Sequence, residues 1–207
     1  MLWVERGEAL WKASASPGGA SCQSCHGDPS LQMTGVSARY PRIDPGTGEL
    51  RSIELQINAC RTRRLSVAPF DWEAEALLAI TALLAHRSRG AAISVATTDS
   101  AHAHYERGRR LFHERQGQLN LSCANCHDEN IGKNLRGDVI SEGHPTGFPI
   151  YRLEWQTLGS LQRRLRACSL GVRAEVLDFG SDDYVALELY LAARANGMRL
   201  EGPAIRK

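Results

Sequence analysis

Two pentapeptides carry the clearest chemistry in the chain, Cys22-Gln23-Ser24-Cys25-His26 and Cys123-Ala124-Asn125-Cys126-His127. C-x-x-C-H is the attachment signature of c-type haem. Two thiols about one helical turn apart reach the two vinyl groups of one porphyrin, and the adjoining imidazole swings under the iron. Zinc would usually bring in its second cysteine pair after about 15 to 20 residues. Here the pairs are 101 apart (123 − 22), and zinc would leave the histidines unexplained. A thioredoxin-like redox pair needs a strand–helix context that the flanking sequence lacks. Cys22, Cys25, Cys123 and Cys126 are therefore expected to attach two haem c groups covalently, with His26 and His127 each supplying one axial ligand.

The second axial ligand of small electron-transfer cytochromes c is most often Met. Met1 is terminal, Met33 follows His26 by only seven residues (33 − 26), and Met198 has no counterpart in the first half. The residues that do recur are Cys60, in INACRTRR, and Cys168, in RRLRACSLG, at an offset of 108 (168 − 60). Thiolate ligation of both irons by Cys60 and Cys168 is the favoured reading, and it would push both potentials low. A Cys60–Cys168 disulfide and two buried free thiols are the competing ones. If the residues before Cys168 are helical, Leu161, Arg164, Leu165 and Cys168 share one face. A guanidinium one turn from a thiol stabilises the thiolate and offers a fork to an oxyanion. Arg163 and Arg166 point elsewhere and are expected to be solvated. In the first half the position four before the cysteine is Gln56, and Arg61, Arg63 and Arg64 follow Cys60 instead. The second site thus reads as built for an anionic substrate, the first for electrons alone.

Elements that must position these groups repeat with them. Glu5-Arg6-Gly7-Glu8-Ala9-Leu10-Trp11 returns as Glu106-Arg107-Gly108-Arg109-Arg110-Leu111-Phe112, again offset by 101 (106 − 5). Asp71–Ala85 and Asp182–Arg194 both show helical spacing of apolar residues, and Gly90 and Gly197 follow as helix stops. Each half reads as an opening helix, a C-x-x-C-H turn, a loop with Gly and Pro, a short helix ending near the lone cysteine, and a closing amphipathic helix. Strand signals are sparse, and Gly90–His104 has the aperiodic composition of a linker. The expected fold is all-α, a tandem repeat of two class I cytochrome c-like domains over residues 1–95 and 96–207.

An apolar fraction of 43% and a charged fraction of 23% are ordinary for a globular protein with a real core. A net charge of +2 argues against a general nucleic-acid binder. Of the 25 basic residues, however, 22 are Arg, the side chain suited to planar or tetrahedral anions. The longest apolar candidate, Ala76–Ala85, falls well short of the 18 or so residues that span a bilayer, so no membrane association is expected. The stretch MLWVERGEAL shows no secretory signal, although a processed chain would look the same. Bacterial haem c attachment outside the cytoplasm makes the periplasm the expected location.

The segments CANCHDENIGKNLRG and EGHPTGFPIYRLEWQTLGSLQRRLRAC, together with the closing helix, resemble the SoxA family, the dihaem subunits of SoxAX complexes of bacterial thiosulfate oxidation. The resemblance implies two cytochrome c domains with His and Cys ligation at each iron, a periplasmic location and a smaller SoxX cytochrome partner. It also implies a reaction, the oxidative conjugation of thiosulfate to a cysteine of the SoxYZ carrier, with two electrons leaving through haem to an acceptor cytochrome c. The family's catalytic distal cysteine, found as a persulfide, corresponds to Cys168, and its substrate-binding arginine to Arg164. Two other classes compete: a dihaem electron carrier without catalysis, and a dihaem peroxidase, which needs an open iron position. His144, in the loop that enlarges the second half, either lines the active site or bonds to its own loop backbone. His102 and His104 are expected in exposed linker rather than at a metal. Tyr151 and Trp155 are expected to pack in the core or on haem.

Overall fold

Residues 2–135 and 137–206 are described by the structure, a computed structural model. Helix α1 (Leu2–Lys12) is followed by two one-turn helices, α2 (Cys22–His26) and α3 (Pro29–Gln32), then strands β1 (Arg42–Ile43) and β2 (Leu50–Arg51) and helices α4 (Ile53–Arg63) and α5 (Glu75–Arg87). The second half runs α6 (His102–His113), α7 (Cys123–His127), β3 (Asn134–Leu135), β4 (Asp138–Val139), β5 (Ile150–Arg152), β6 (Thr157–Gly159), α8 (Leu161–Gly171), α9 (Asp182–Arg194) and β7 (Ala204–Arg206). The repeat read from the sequence thus recurs as α1-α2-α4-α5 and α6-α7-α8-α9.

Glycine sets the central packing of each half. A Cβ on Gly7 would collide with the Ala79 carbonyl, and one on Gly108 with the Ala186 carbonyl, so α1 meets α5 and α6 meets α9 backbone against backbone. The two contacts are repeat mates, offset by 101 in the opening helices (108 − 7) and 107 in the closing ones (186 − 79). Amphipathic closing helices are expected from the sequence, but every residue of Leu77–Ala85 in α5 and of Tyr184–Ala192 in α9 is buried. Helices buried on all faces need cover on all faces. Each receives it partly from the other half. Leu78 and Ala82 of α5 pack with Leu158 and Tyr151, and the cluster around Leu189 and Ala192 of α9 takes in Ile43 and Leu50.

The expectation of an all-α chain needs correction. Among the described residues the helices are joined by a β1–β2 ribbon, a β3–β4 ribbon and a three-stranded sheet in the order β6-β5-β7. In that sheet β6 is antiparallel and β7 parallel to β5. Strands of two or three residues are too short to register an alternating apolar pattern. Gly90–His104 also departs from a bare linker. Ile93 and Val95 are buried, Ala92 bridges Arg199, and the Asn196 side chain bonds both the N–H and the C=O of Val95. Backbone pairing with the segment after α9 supplies order that side-chain periodicity does not reveal. His102 and His104 begin α6 instead of lying in the linker.

Gly108→Ala should destabilise the fold by about 1–3 kcal/mol through overpacking. Gly171→Ala, whose Cβ meets nothing within 4 Å, should shift stability by less than about 1 kcal/mol. Denaturant unfolding of the two variants checks the contrast.

Candidate functional site

The C-x-x-C-H pentads form α2 and α7, and the two turns are built alike. Ser21 and Ser122 are their N-caps, and in each a capping box is closed by the third helical residue, Ser24 or Asn125. Such a short helix has little stability of its own, so the cap holds the two cysteines on one turn. Among the described residues no disulfide joins the six cysteines, and Cys60 and Cys168 lie with Cys25 and Cys126 of their own halves rather than with each other.

Each lone cysteine faces the pentad of its own half. Ser52 and Ser160 cap α4 and α8, and these helices carry Cys60 and Cys168 three residues before their last turns close at Arg63 and Gly171. Burial raises the Cys60 pKa, and the charge of Cys25 adds to the effect. Burial pushes the Cys123 thiol up to about 11, with Cys168 the next contributor. Among the described residues no group of three or more His, Cys, Asp or Glu side chains could hold a bare metal ion.

Second-half features go further towards fixing an imidazole. His127 Nδ1 lies 2.7 Å from the Ser141 carbonyl, so Nδ1–H donates there and Nε2 is left as the free ring nitrogen. Gly143, at φ +75°, lets the loop pass the ring: a Cβ there would lie 3.2 Å from His127 Cγ and Nδ1. Arg194 of α9 pins the same loop, donating to Asp128 at 2.7 Å and to the Glu142 carbonyl. In the first half the Trp11 ring lies 5.7 Å from that of His26, and Trp11 Nε1 donates to the Gly27 carbonyl.

The three arginines before Cys168 separate cleanly. Arg163 stacks on Trp155 at 4.5 Å and lies 3.9 Å from Glu73. Arg166 covers Phe179 at 4.4 Å and donates to the Leu177 carbonyl. Their expected solvation is thus corrected: both are half-buried, because flat aromatic faces offer a guanidinium better cover than water alone. Arg164 makes no ion pair among the described residues, and its charge acts on Cys168. Burial raises the Cys168 pKa, while Arg164 is the strongest influence lowering it. At the matching first-half position, Gln56 accepts a hydrogen bond from buried Arg51, which is otherwise taken up by Asp44 and Glu49.

Sequence reasoning missed two contributors. Arg152, 7% exposed on β5 and paired with Asp138 and Glu154, is the second cation lowering the Cys168 pKa. An Arg in the apolar run FPIYRL was the available signal. Glu73, from the first half at φ +60°, accepts from the Ser160 backbone N–H at the start of α8, a contact across the halves with no local signature. His144 Nδ1 lies 3.2 Å from Glu142 Oε2, so its partner is a neighbouring carboxylate rather than the loop backbone. Tyr151 packs in the core and Trp155 against Gly159. Met33 packs beside the α1–α5 cluster, Met198 is exposed, and Met1 lies outside the described residues.

The SoxA/TsdA cytochrome c domain family matches residues 6–93 and again 107–200. The chain belongs to the SoxA family. It is 39% identical over 206 residues to the L-cysteine S-thiosulfotransferase subunit SoxA of Rhodovulum sulfidophilum, covering all of this chain and 72% of that protein. The SoxA of Paracoccus pantotrophus is likewise 39% identical, and that of Allochromatium vinosum 34%. The crystal structure of SoxXA from P. pantotrophus superposes with a TM-score of 0.96 over all of this chain and 78% of that one. As a SoxA-family cytochrome c, the chain carries covalently bound haem c. The donor set fits that group: free thiol pairs on capped single turns, an imidazole with its Nδ1 committed to backbone, and a helix-borne thiol facing each pentad.

Gly143→Ala should crowd the His127 ring and loosen its bond to Ser141. Replacement should alter the ligand-field absorption of the bound haem c, as read by ferric spectra of the purified protein.

Proposed function

We propose that the chain is the dihaem subunit of an L-cysteine S-thiosulfotransferase, working in the periplasm with a SoxX-type cytochrome c. Residues 1–95 and 96–207 form its two cytochrome c domains. Cys22 and Cys25 attach the first haem, with His26 and Cys60 as axial ligands. Cys123 and Cys126 attach the second, with His127 and Cys168. Kinship over the full chain to proteins named for this activity supports the reading.

The reaction joins thiosulfate to a cysteine thiol of the SoxYZ carrier: one S–S bond forms, one proton leaves the thiol, and two electrons are released. Haem supplies the route for those electrons to an acceptor cytochrome c. The chain's own residues do the rest. Arg164 holds the thiosulfate anion, since its guanidinium is committed to no carboxylate among the described residues, and a fork of donors matches an oxyanion. Burial around Cys168 excludes water and strengthens that attraction. Arg152 adds positive charge from the opposite element and is itself held by two carboxylates, which suits it to positioning rather than capture. Cys168, through an added sulfur, is the group at which the sulfur chemistry takes place.

The observation that carries the assignment is the asymmetry between the repeats: Arg164 beside Cys168, where Gln56 stands before Cys60. Arg164→Ala should lower kcat/KM for thiosulfate by about 10- to 100-fold, the equivalent of about 1.5–3 kcal/mol for a hydrogen bond to a charged group. Arg166→Ala should change it by less than about threefold. Equal effects at the two positions in steady-state assays would contradict the reading.

A further inference from the structure

Each half sends a loop against the cysteine-bearing helix of the other. Asp71-Trp72-Glu73 and Asp178-Phe179-Gly180 are repeat mates, offset by 107 (178 − 71), and the rings of Trp72 and Phe179 stack at 5.5 Å and 10° where the halves meet. On one side of the stack, a Cβ on Gly180 would lie 3.4 Å from Leu55 Cδ2 in the first turn of α4. On the other, the Glu73 carboxyl reaches the start of α8, with Oε2 3.3 Å and Oε1 3.4 Å from the Ser160 backbone nitrogen. The crossing is reciprocal in place and unequal in chemistry, since glycine stands in one loop where the other has a carboxyl.

Glu73 does at α8 what that helix's own sequence leaves undone. In a capping box the N-cap hydroxyl accepts from the backbone N–H of the third helical residue, whose side chain in turn accepts from the N-cap N–H. Both pentads close theirs in this way, with Ser24 and Asn125. In α8 the Ser160 hydroxyl accepts from the Arg163 N–H at 3.1 Å, but an arginine side chain has no acceptor to return. Ser160 is 2% exposed, so its N–H must find a partner within the protein. Glu73 supplies that partner from the other half and lies 3.9 Å from the Arg163 guanidinium, the side chain that could not.

The backbone at Glu73 points the same way. It sits at φ +60°, in the left-handed region where its mate Gly180, at φ +74°, is unstrained. Glycine would serve the turn equally well; the residue present adds a carboxyl at the expense of local strain. The two loops also brace the rest of that side of α8. Phe179 is covered by Arg166 at 4.4 Å, and Gly180 N–H donates to Gln162 Oε1 at 2.7 Å. The opposite side of the helix, with Leu161 and Leu165 against the Phe112 cluster, carries Arg164 and Cys168. Ser160 joins the two sides directly: its N–H is held by Glu73, and its carbonyl accepts from the Arg164 N–H at 3.4 Å.

We propose that Glu73 is a positioning residue for the second site: by closing the cap of α8 from the first half, it sets where that helix presents Arg164 and Cys168 to the second pentad. The first half is then a structural part of the sulfur site. Glu73 itself touches no reacting atom. Cys168 lies eight residues beyond Ser160, a rise of about 12 Å, so a small tilt at the cap displaces the thiol and the guanidinium together. A misplacement of about 1 Å is enough to slow a reaction that depends on orientation.

The proposal rests on Cys168 and Arg164 forming the sulfur site, and Glu73→Gly and Glu73→Gln test it in the purified holoprotein. Glu73→Gly keeps the turn and removes the carboxyl. Amide hydrogen exchange in the first turn of α8 should quicken about tenfold while that of α4 stays as in wild type, and kcat/KM for thiosulfate should fall about tenfold. The ferric EPR signal of the second haem should shift, because its Cys168 ligand moves. Glu73→Gln keeps an oxygen for the Ser160 N–H, so its exchange rates and kcat/KM should return to within about threefold of wild type and its EPR signal should match. Where Glu73→Gly gives no folded protein, Glu73→Ala carries the same comparison. Exchange is read without turnover, so a wild type inactive with thiosulfate counts against the reading of the second site and not against the cap. Exchange in α8 and an EPR signal unchanged in the folded Glu73→Gly protein, or equal losses in Glu73→Gly and Glu73→Gln, would overturn the proposal.

Discussion

Backbone contact at two glycines is the constraint on which the rest depends. With α1 pressed onto α5 at Gly7 and α6 onto α9 at Gly108, each half becomes a tight helix pair whose closing member is left with further apolar faces. Those faces are covered by the other half, through Leu158 and Tyr151 on α5 and through Ile43 and Leu50 on α9. The same arrangement fixes α4 and α8 by their serine caps, so that each presents its cysteine to its own capped pentad. Position, not sequence novelty, makes the two thiols equivalent.

Charge makes them unequal. Cys60 has Gln56 one turn before it, occupied by Arg51, whereas Cys168 has Arg164, without an ion pair among the described residues, and Arg152 opposite. Arg163 and Arg166 are consumed by Trp155 and Phe179. Uncommitted positive charge thus concentrates at one of two otherwise matched sites. The junction between the halves shows the same device with opposite sign, where one loop supplies the Glu73 carboxyl and its mate Gly180 supplies none.

Much of this was legible in the chain. C-x-x-C-H, the paired lone cysteines and the offset of 101 are local patterns with a mechanical reason, and the helical face joining Arg164 to Cys168 follows from the 3.6-residue period. What escaped was non-local. Glu73 reaches Ser160 across 87 residues of sequence, Arg152 arrives from a three-residue strand, and Ile93 and Val95 are ordered by the segment after α9.

The proposed activity requires Cys168 to be a chemically active sulfur in a chain with two covalent haems. Mass analysis of the intact holoprotein and of its Cys168-containing peptide tests this most directly. Two haem additions and one extra sulfur atom on that peptide are the predicted result. An unmodified Cys168 thiol, in a protein whose Cys168→Ala variant still reduces its haem with thiosulfate, would contradict it.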